Sequence, residues 1–186
     1  MFIKSSYDLD LSSWMKDLPS AKKSKPIAEL RIPGSHNAGT YTLYKSKGLA
    51  ADQDETSQAL VKGLYEEKFL PWPLRKIGTA LGWTLTSFVY GWSRNQKVSI
   101  KTQLKRGIRY LDFRVGVYNG QLRTLHGLWG PLIKGQLEQV NDFLDDNKEE
   151  VVIIYFQSFY AMTDTYHSKL IGMFLDAEQQ PKVSIF

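Results

Sequence analysis

Three observations predict an α/β fold with mostly parallel strands. Apolar and polar residues alternate from Ile27 to Ile32, which is typical of a strand. The apolar run at 151–159 indicates a strand that is buried on both faces of a parallel sheet. Between them, the segment at 135–150 has its apolar residues at helical spacing. Strands that alternate with helices are typical of layered α/β proteins.

The composition fits one domain with an anionic partner. The chain has 186 residues, of which 42% are hydrophobic, so it can build a core. Its net charge of +5 suits a phosphate ester, a phospholipid surface or a nucleic acid. Nucleic acid is the poorest of these, because KKSK at 22–25 is the only tight basic cluster and no recognition motif accompanies it. The absence of cysteine excludes disulfides and thiolate chemistry and fits a cytoplasmic location.

Composition and local signals divide the chain into elements. The parts are an N-terminal extension at 1–26, a strand–helix region at 27–177 with a helical insert at 45–100, and a tail without a clear element at 178–186. Strands are predicted at 27–33, 108–115, 121–126 and 151–157. Helices are predicted at 10–18, 54–70, 77–92, 99–107, 135–150 and 163–177. Thr56 or Ser57 is expected to cap the second helix, Ser99 the fourth, and the Asn-Gly pair at 119–120 indicates a β-hairpin.

The longest apolar-rich stretch without a charge runs from Ile77 to Trp92. Its 16 residues fall short of the ~20 that span a bilayer, so no transmembrane segment is predicted. Its length favours a buried helix. The alternative is a helix that dips into a membrane surface, because Trp83, Tyr90 and Trp92 are residue types that favour that interface.

Four residues suited to phosphate chemistry lie near the ends of predicted strands. His36 follows the first strand, which stops at Pro33, and His126 ends the third. Asp112 and Arg114 are two positions apart on the second strand, so both side chains point to one face. Histidine transfers protons near neutral pH, and arginine binds phosphate oxygens through two hydrogen bonds. These residues predict a general acid–base site for a phosphate ester; the alternative is a structural histidine beside an ordinary ion pair.

Four motifs together resemble the X region of phosphatidylinositol-specific phospholipase C. They are LRIPGSHNAGTY at 30–41, IKTQLKRGIRYLDFRVG at 100–116, LRTLHGLWG at 122–130 and FLDDNKEEVVIIYFQSFYAM at 143–162. WSRNQ at 92–96 is similar to the small intracellular members that contain only this domain. The resemblance implies a distorted TIM barrel and a phosphoric diester hydrolase of lipid signalling, which cleaves the glycerol–phosphate bond of phosphoinositides at a membrane surface.

The resemblance also implies a role for each candidate residue. His36 matches the family's first histidine, which assists attack of the inositol 2-hydroxyl on phosphorus. His126 matches the second histidine, the general acid that protonates the departing glycerol oxygen. Arg114 matches an arginine that binds the phosphate, and Asp112 matches an acidic residue near it. The implied products are a cyclic phosphodiester and diacylglycerol.

Asn37 departs from part of this pattern. Metal-independent members have Asp there, which orients and charges the second histidine, whereas calcium-dependent members have Asn as a calcium ligand. Asn37 and Arg114 are therefore expected to bind substrate, and Asn37 and Asp112 would hold calcium if it is used. Arg114 occupies the place of another acidic ligand, which is unfavourable for a calcium shell. No other cofactor is predicted.

A whole barrel needs ~250 residues, and the predicted strands account for only its N-terminal half. We therefore expect an open half-barrel: a fragment, a truncated isoform, or a subunit that forms a homo-oligomer to cover its exposed edge. The function expected from the resemblance is phosphodiester hydrolysis. The alternative is a catalytically impaired pseudoenzyme that binds phosphoinositides, or a truncated isoform.

Overall fold

A computed structural model of the chain describes residues 10–66, 71–175 and 183–185. Its helices are α1 (Ser20–Lys23), α2 (Glu55–Glu66), α3 (Trp72–Ser93), α4 (Ile100–Lys105), α5 (Ile133–Asp146) and α6 (Asp164–Leu175). Its strands are β1 (Gly34–Ser35), β2 (Tyr110–Tyr118), β3 (Gln121–His126), β4 (Leu128–Leu132), β5 (Val152–Tyr160) and β6 (Val183–Ile185). Strands alternate with helices, and the predicted α/β class is confirmed.

These strands form one mixed sheet in the order β4-β3-β2-β5-β6, and β1 pairs with β2. The pairs β1–β2, β2–β5 and β5–β6 are parallel, whereas β2–β3 and β3–β4 are antiparallel. Asn119 and Gly120 both have positive φ, 49° and 73°, which is the backbone of the tight turn that Asn-Gly favours. The predicted hairpin is therefore confirmed.

The main core lies between β2, β5 and the helices on one face of the sheet. On β2, Leu111, Phe113 and Val115 are at most 1% exposed and belong to the largest buried cluster, to which α4 and α5 also contribute. Since side chains alternate along a strand, Asp112 and Arg114 point to the opposite face, as predicted. The cap that Ser99 provides to α4 is also confirmed, because its side chain accepts from the backbone N–H of Thr102.

The strand predicted at 27–33 is wrong. Ile27–Glu29 is a 3₁₀ turn, and pairing with β2 begins only at Gly34. Pro33 has no N–H to give to a ladder, and its carbonyl instead accepts the backbone N–H of Arg109 at 3.0 Å. The strand is thus short and displaced toward the C-terminus.

Other sequence predictions also need correction. Residues 10–18 form turns rather than a helix. The cap of α2 is Asp54, whose Oδ1 accepts the backbone N–H of Ser57 at 2.8 Å. Strands β4 and β6 were not predicted, and β6 lies in the supposed tail, where it pairs in parallel with β5. Parts of the predicted helices, 67–70 and 176–177, and residues 178–182 and 186 of the tail lie outside the described residues.

Burial was overestimated in two places. The segment Ile77–Trp92 is helical but not buried, since Trp92 is 76% exposed. The strand at 151–159 is not buried on both faces, because Tyr155 and Phe159 are each 43% exposed. An apolar pattern shows which residues could be covered, but not whether a neighbouring element covers them. Within the described segments, no helix is both long and apolar enough to cross a bilayer.

Candidate active site

His36, which follows β1, and Asp112, the third residue of β2, form a hydrogen-bonded pair. The parallel register places Ser35 opposite Leu111, so the residues that follow them, His36 and Asp112, lie side by side. His36 Nδ1 lies 2.5 Å from Asp112 Oδ2, with the His36 side chain 57% exposed and the carboxylate 11% exposed. An ionised carboxylate only accepts, so Nδ1 carries the hydrogen. The lone pair on His36 Nε2 can then act as a base toward an incoming hydroxyl.

Asn37 holds the other side of the same imidazole. Its backbone has φ of 48°, a left-handed conformation that Asn adopts more readily than most residues. Its Nδ2 donates to His36 Nε2 at 3.0 Å and to Asn95 Oδ1 at 3.1 Å. The Oδ1 atoms of Asn37 and Asp112 are buried without a hydrogen-bond partner among the described residues. Buried acceptors of this kind are suited to hydroxyl groups of a bound ligand.

His126 is held by the backbone of α3. At the end of β3, its Nδ1 donates to the carbonyl of Ser93, at a distance of 3.1 Å. The next residue, Gly127, donates its N–H to both carboxylate oxygens of Asp52 at 3.0 and 2.9 Å. Because the carbonyl fixes the hydrogen on Nδ1, Nε2 is the ring atom that exchanges a proton with a ligand.

One segment, Ser93–Gln96, connects the surroundings of both histidines. Ser93 binds His126, while Gln96 Nε2 donates to the backbone carbonyl of His36 at 2.8 Å. Between them, Asn95 accepts from Asn37, and its N–H donates to Thr40 Oγ1 at 3.2 Å. The end of α3 and the turn after it therefore bind both histidine loops.

Arg114 joins this arrangement through Asp52. Its NH1 lies 4.0 Å from Asp52 Oδ2, and its Nε donates to Gln157 Oε1 at 3.2 Å. The Asp52 side chain is 4% exposed, and the same carboxylate binds Gly127 beside His126. The guanidinium is thus linked to the second histidine, while Asp112 on the same strand is linked to the first.

Sequence reasoning missed several of these contacts. Ser93, Asn95 and Gln96 belong to the WSRNQ stretch, which the sequence singled out by resemblance but without a role. Asp52 lies in the helical insert, and nothing in the local pattern distinguishes it from a surface carboxylate. The partner of His126 is a backbone carbonyl, which any residue type could provide.

The residues present do not fit a calcium ion. Calcium takes six to eight oxygen ligands, and carboxylates supply most of its charge compensation. Within the ranges that the structure describes, no group of three or more His, Cys, Asp or Glu residues could hold a metal. Asn37 and Asp112 offer one unpartnered oxygen each, and the cation Arg114 lies on the same face of β2 as Asp112.

Gly127→Ala tests the contact between α3 and the His126 loop. Gly127 has φ of 65°, and a Cβ there would overlap Ser93 Oγ and lie 2.9 Å from Val89 Cγ1. Left-handed strain and overpacking together should lower the free energy of unfolding by about 2–4 kcal/mol in urea titrations. The matched control is Gly48→Ala, where φ is 72° but an added Cβ meets only Val61 Cγ1, at 3.8 Å; left-handed strain alone should cost it about 1–2 kcal/mol. Equal losses of stability in the two variants would show that a Cβ at position 127 does not overlap the side chains of α3.

Comparison with known proteins identifies the family. The family model for the PI-PLC X domain matches residues 79–172, about half of the chain. The chain belongs to the PI-PLC X domain family. The human PI-PLC X domain-containing protein 3 is 30% identical over 173 residues, which are 91% of this chain and 49% of that protein. This PI-PLC X domain thus spans about half the length of the curated relatives it matches.

Solved structures confirm the half-barrel. The phosphatidylinositol-specific phospholipase C of Staphylococcus aureus superposes with a TM-score of 0.57 at 17% identity, covering 98% of this chain and 54% of that one. The Listeria monocytogenes enzyme gives 0.55 at 21% identity, with 92% and 47% covered. At these identities the likeness establishes the fold alone: this PI-PLC X domain is an α/β half-barrel.

Proposed function

We propose that this PI-PLC X domain is a phosphoric diester hydrolase that cleaves the glycerol–phosphate bond of phosphoinositides. The observation that carries the proposal is the hydrogen bond between His36 Nδ1 and Asp112 Oδ2, which leaves Nε2 as a base. The family membership supports the proposal, and so does the likeness of the half-barrel to solved phospholipase C structures. The enzyme would work from the cytoplasm as a peripheral protein on a membrane that contains its lipid.

The reaction needs two proton transfers. His36 Nε2 takes the proton of the inositol 2-hydroxyl, whose oxygen attacks phosphorus and forms the P–O bond of a cyclic phosphodiester. The bond from phosphorus to the glycerol oxygen breaks, and His126 Nε2 gives its proton to that oxygen, releasing diacylglycerol. The Asp112 carboxylate stabilises the positive charge that develops on the His36 ring.

The remaining residues bind and neutralise the substrate. Arg114 carries a guanidinium that can form two hydrogen bonds to phosphate oxygens and offset the charge that develops on them. Asn37 Oδ1, which is buried without a hydrogen-bond partner among the described residues, would accept a hydrogen bond from an inositol hydroxyl once the Asn37 side chain turns toward the ligand. A hydroxyl that reaches His36 Nε2 must displace the Asn37 amide, which lies 3.0 Å from it.

The second candidate is a phosphoinositide-binding protein without turnover. The same Asn37 contact favours it, because the amide occupies the lone pair that the base would use. The boundaries of the domain at 27–177 and a homo-oligomeric state stay predictions in either case.

Phosphatidylinositol vesicles, with and without calcium, distinguish these candidates. We expect the wild-type chain to release water-soluble inositol cyclic phosphate, and His126→Ala to lower the rate by about a hundredfold or more, because a general acid contributes about 10²–10⁴-fold. Calcium should leave the rate unchanged, since the residues do not fit the ion. Vesicle binding with no soluble product from the wild type would replace the first candidate with the second.

A further inference from the structure

A cavity of about 320 Å³ lies beside the end of the β2–β3 hairpin. Its walls come from the segment 46–49, from α2, from the hairpin and from β4. They combine cationic, amide and aromatic groups: Lys47, Gln58, Lys62, Tyr118, Asn119 and Trp129. A volume of this size is at the lower end of the range typical of small-molecule sites. The histidines, carboxylates and arginine of the candidate active site do not line it.

Lys47 brings to this cavity an ammonium group that has no acidic partner. Its Nζ lies 4.9 Å from the ring centre of Tyr118 and 5.6 Å from that of Tyr44. These ring faces attract the ammonium group but carry no formal charge. Among the described residues, no carboxylate and no hydrogen-bond acceptor contacts Lys47 Nζ, and burial lowers the pKa of this amine. The three N–H groups of Lys47 can therefore donate to a ligand.

Arg123 adds a second positive charge that no carboxylate offsets within the described part of the chain. Its Cζ lies 5.7 Å from the ring centre of Tyr44, which Lys47 also contacts. Two of its N–H groups donate to neutral acceptors, and its Nε is buried without a hydrogen-bond partner among the described residues. The charge of Arg123 also lowers the pKa of Lys47. Since Lys62 lines the cavity and none of its described lining residues is acidic, these surroundings favour an anion.

Gly116 separates this cavity from the candidate active site. Arg114, Gly116 and Tyr118 follow one another on the same face of β2, because side chains alternate along a strand. Leu125 and Trp129 cover Gly116: a Cβ added there would lie 2.7 Å from Leu125 Cδ2 and 3.2 Å from Trp129 Cζ3. Four positions along a strand measure about 13 Å. A small ligand beside Tyr118 is therefore distinct from one that binds Arg114.

We propose that this cavity is a second ligand site, which binds the phosphate group of a small soluble phosphate ester. The ammonium groups of Lys47 and Lys62 come from two different walls and suit a dianion better than a singly charged carboxylate. The side-chain amides of Gln58 and Asn119 can bind hydroxyl groups, and the aromatic walls can pack against the carbon atoms of a sugar or polyol. The inference goes beyond the proposed function and does not depend on it.

Isothermal titration calorimetry with glucose 6-phosphate tests the site on the full chain. We expect saturable binding, and Lys47→Gln to weaken it at least about tenfold, because a charge-assisted hydrogen bond to the phosphate is lost. Lys45→Gln is the matched control: this lysine belongs to the same 3₁₀ turn, but its Nζ donates to Ser87 Oγ at 3.0 Å and lies over the Trp83 ring. It should leave the affinity within about twofold, because charges outside the site are screened.

The charge of the ligand is varied in the same experiment. Glucose carries no charge and gluconate carries one negative charge, so both should bind at least about tenfold more weakly than glucose 6-phosphate. Urea unfolding of Lys47→Gln should match that of the wild type, which separates lost binding from a lost fold. Lys62→Gln should also weaken binding, and it replaces Lys47→Gln as the test if that variant is unstable.

Several outcomes would overturn the second site. They are the absence of saturable binding by the wild type, equal affinities of Lys47→Gln and Lys45→Gln, and gluconate binding as tight as that of glucose 6-phosphate. Binding that Arg114→Gln abolishes and Lys47→Gln does not would place the ligand in the candidate active site instead. Binding to phosphatidate vesicles that depends on Lys47, with none to glucose 6-phosphate, would overturn the soluble source of the phosphate. Because no titration requires turnover, failure of the proposed function would leave the second site untouched.

Discussion

Glu150→Gln is expected to lower the free energy of unfolding by about 3–5 kcal/mol, because it leaves the charge of Arg109 buried without its counter-ion. The two side chains are 0% and 1% exposed, and Arg109 NH2 lies 2.7 Å from Glu150 Oε2. Burial lowers the pKa of Arg109, and the hydrogen bond and charge of Glu150 act against that shift. Glutamine has nearly the same shape as glutamate, so the lost free energy of unfolding comes from the missing charge and not from a cavity.

The same pair fastens the N-terminal segment to the half-barrel. Arg109 NH2 donates to the backbone carbonyls of Leu11 and Ser12 at 3.1 and 2.8 Å. Glu150 accepts the backbone N–H groups of Met15 and Lys16 at 3.3 and 2.9 Å. Loss of the carboxylate should therefore also make residues 10–18 more sensitive to limited proteolysis.

Urea unfolding of three variants checks this prediction. Glu29→Gln breaks an exposed ion pair with Lys25 and should cost less than about 1 kcal/mol. Arg109→Met/Glu150→Met removes both charges but also the hydrogen bonds that the pair makes to the backbone of the N-terminal segment, so its loss of stability reports those hydrogen bonds rather than an unpaired charge. The explanation fails if Glu150→Gln unfolds like Glu29→Gln.

Local signals predicted the elements that neighbouring residues alone determine. The Asn-Gly turn and the Ser99 cap depend on adjacent backbone geometry, and both are present. The first strand was misplaced because Pro33 blocks a ladder that the alternating pattern alone would allow. The buried pair of Arg109 and Glu150 was not predicted at all, because a charged residue that turns inward has no pattern of its own.

The site was predictable where the strand register determined it. His36 and Asp112 meet because β1 and β2 are parallel neighbours. His36 follows its strand as expected, but Asp112 is the third of the nine residues of β2 and not near its end, because β2 continues to Tyr118. The contacts of His126 depend on α3 and on Asp52, which belong to a helical insert whose packing the sequence pattern did not reveal. The exposure of the segment Ile77–Trp92 was missed for a related reason, because helical spacing defines an apolar face without showing what covers it.

Asp112→Asn and His36→Ala are each expected to lower kcat/KM on phosphatidylinositol by about 10²–10⁴-fold, the range of a general base. Asparagine can still accept the Nδ1 hydrogen, but it supplies no negative charge to the imidazolium that forms during attack. The Asp112 carboxylate acts on the reaction through the His36 ring, to which it is hydrogen-bonded at 2.5 Å. Without the His36 ring, no imidazolium charge forms beside the carboxylate, so the carboxylate no longer stabilises the transition state.

The double variant Asp112→Asn/His36→Ala should therefore be about as active as His36→Ala alone, because groups that act as one unit are not additive. Asp142→Asn serves as the control: its carboxylate, on α5, is 65% exposed and lies 3.9 Å from Lys101, so its rate should equal that of the wild type. Losses that multiply in the double variant would mean that Asp112 and His36 contribute independently. In that case the hydrogen bond between them would not explain how His36 acts as a general base.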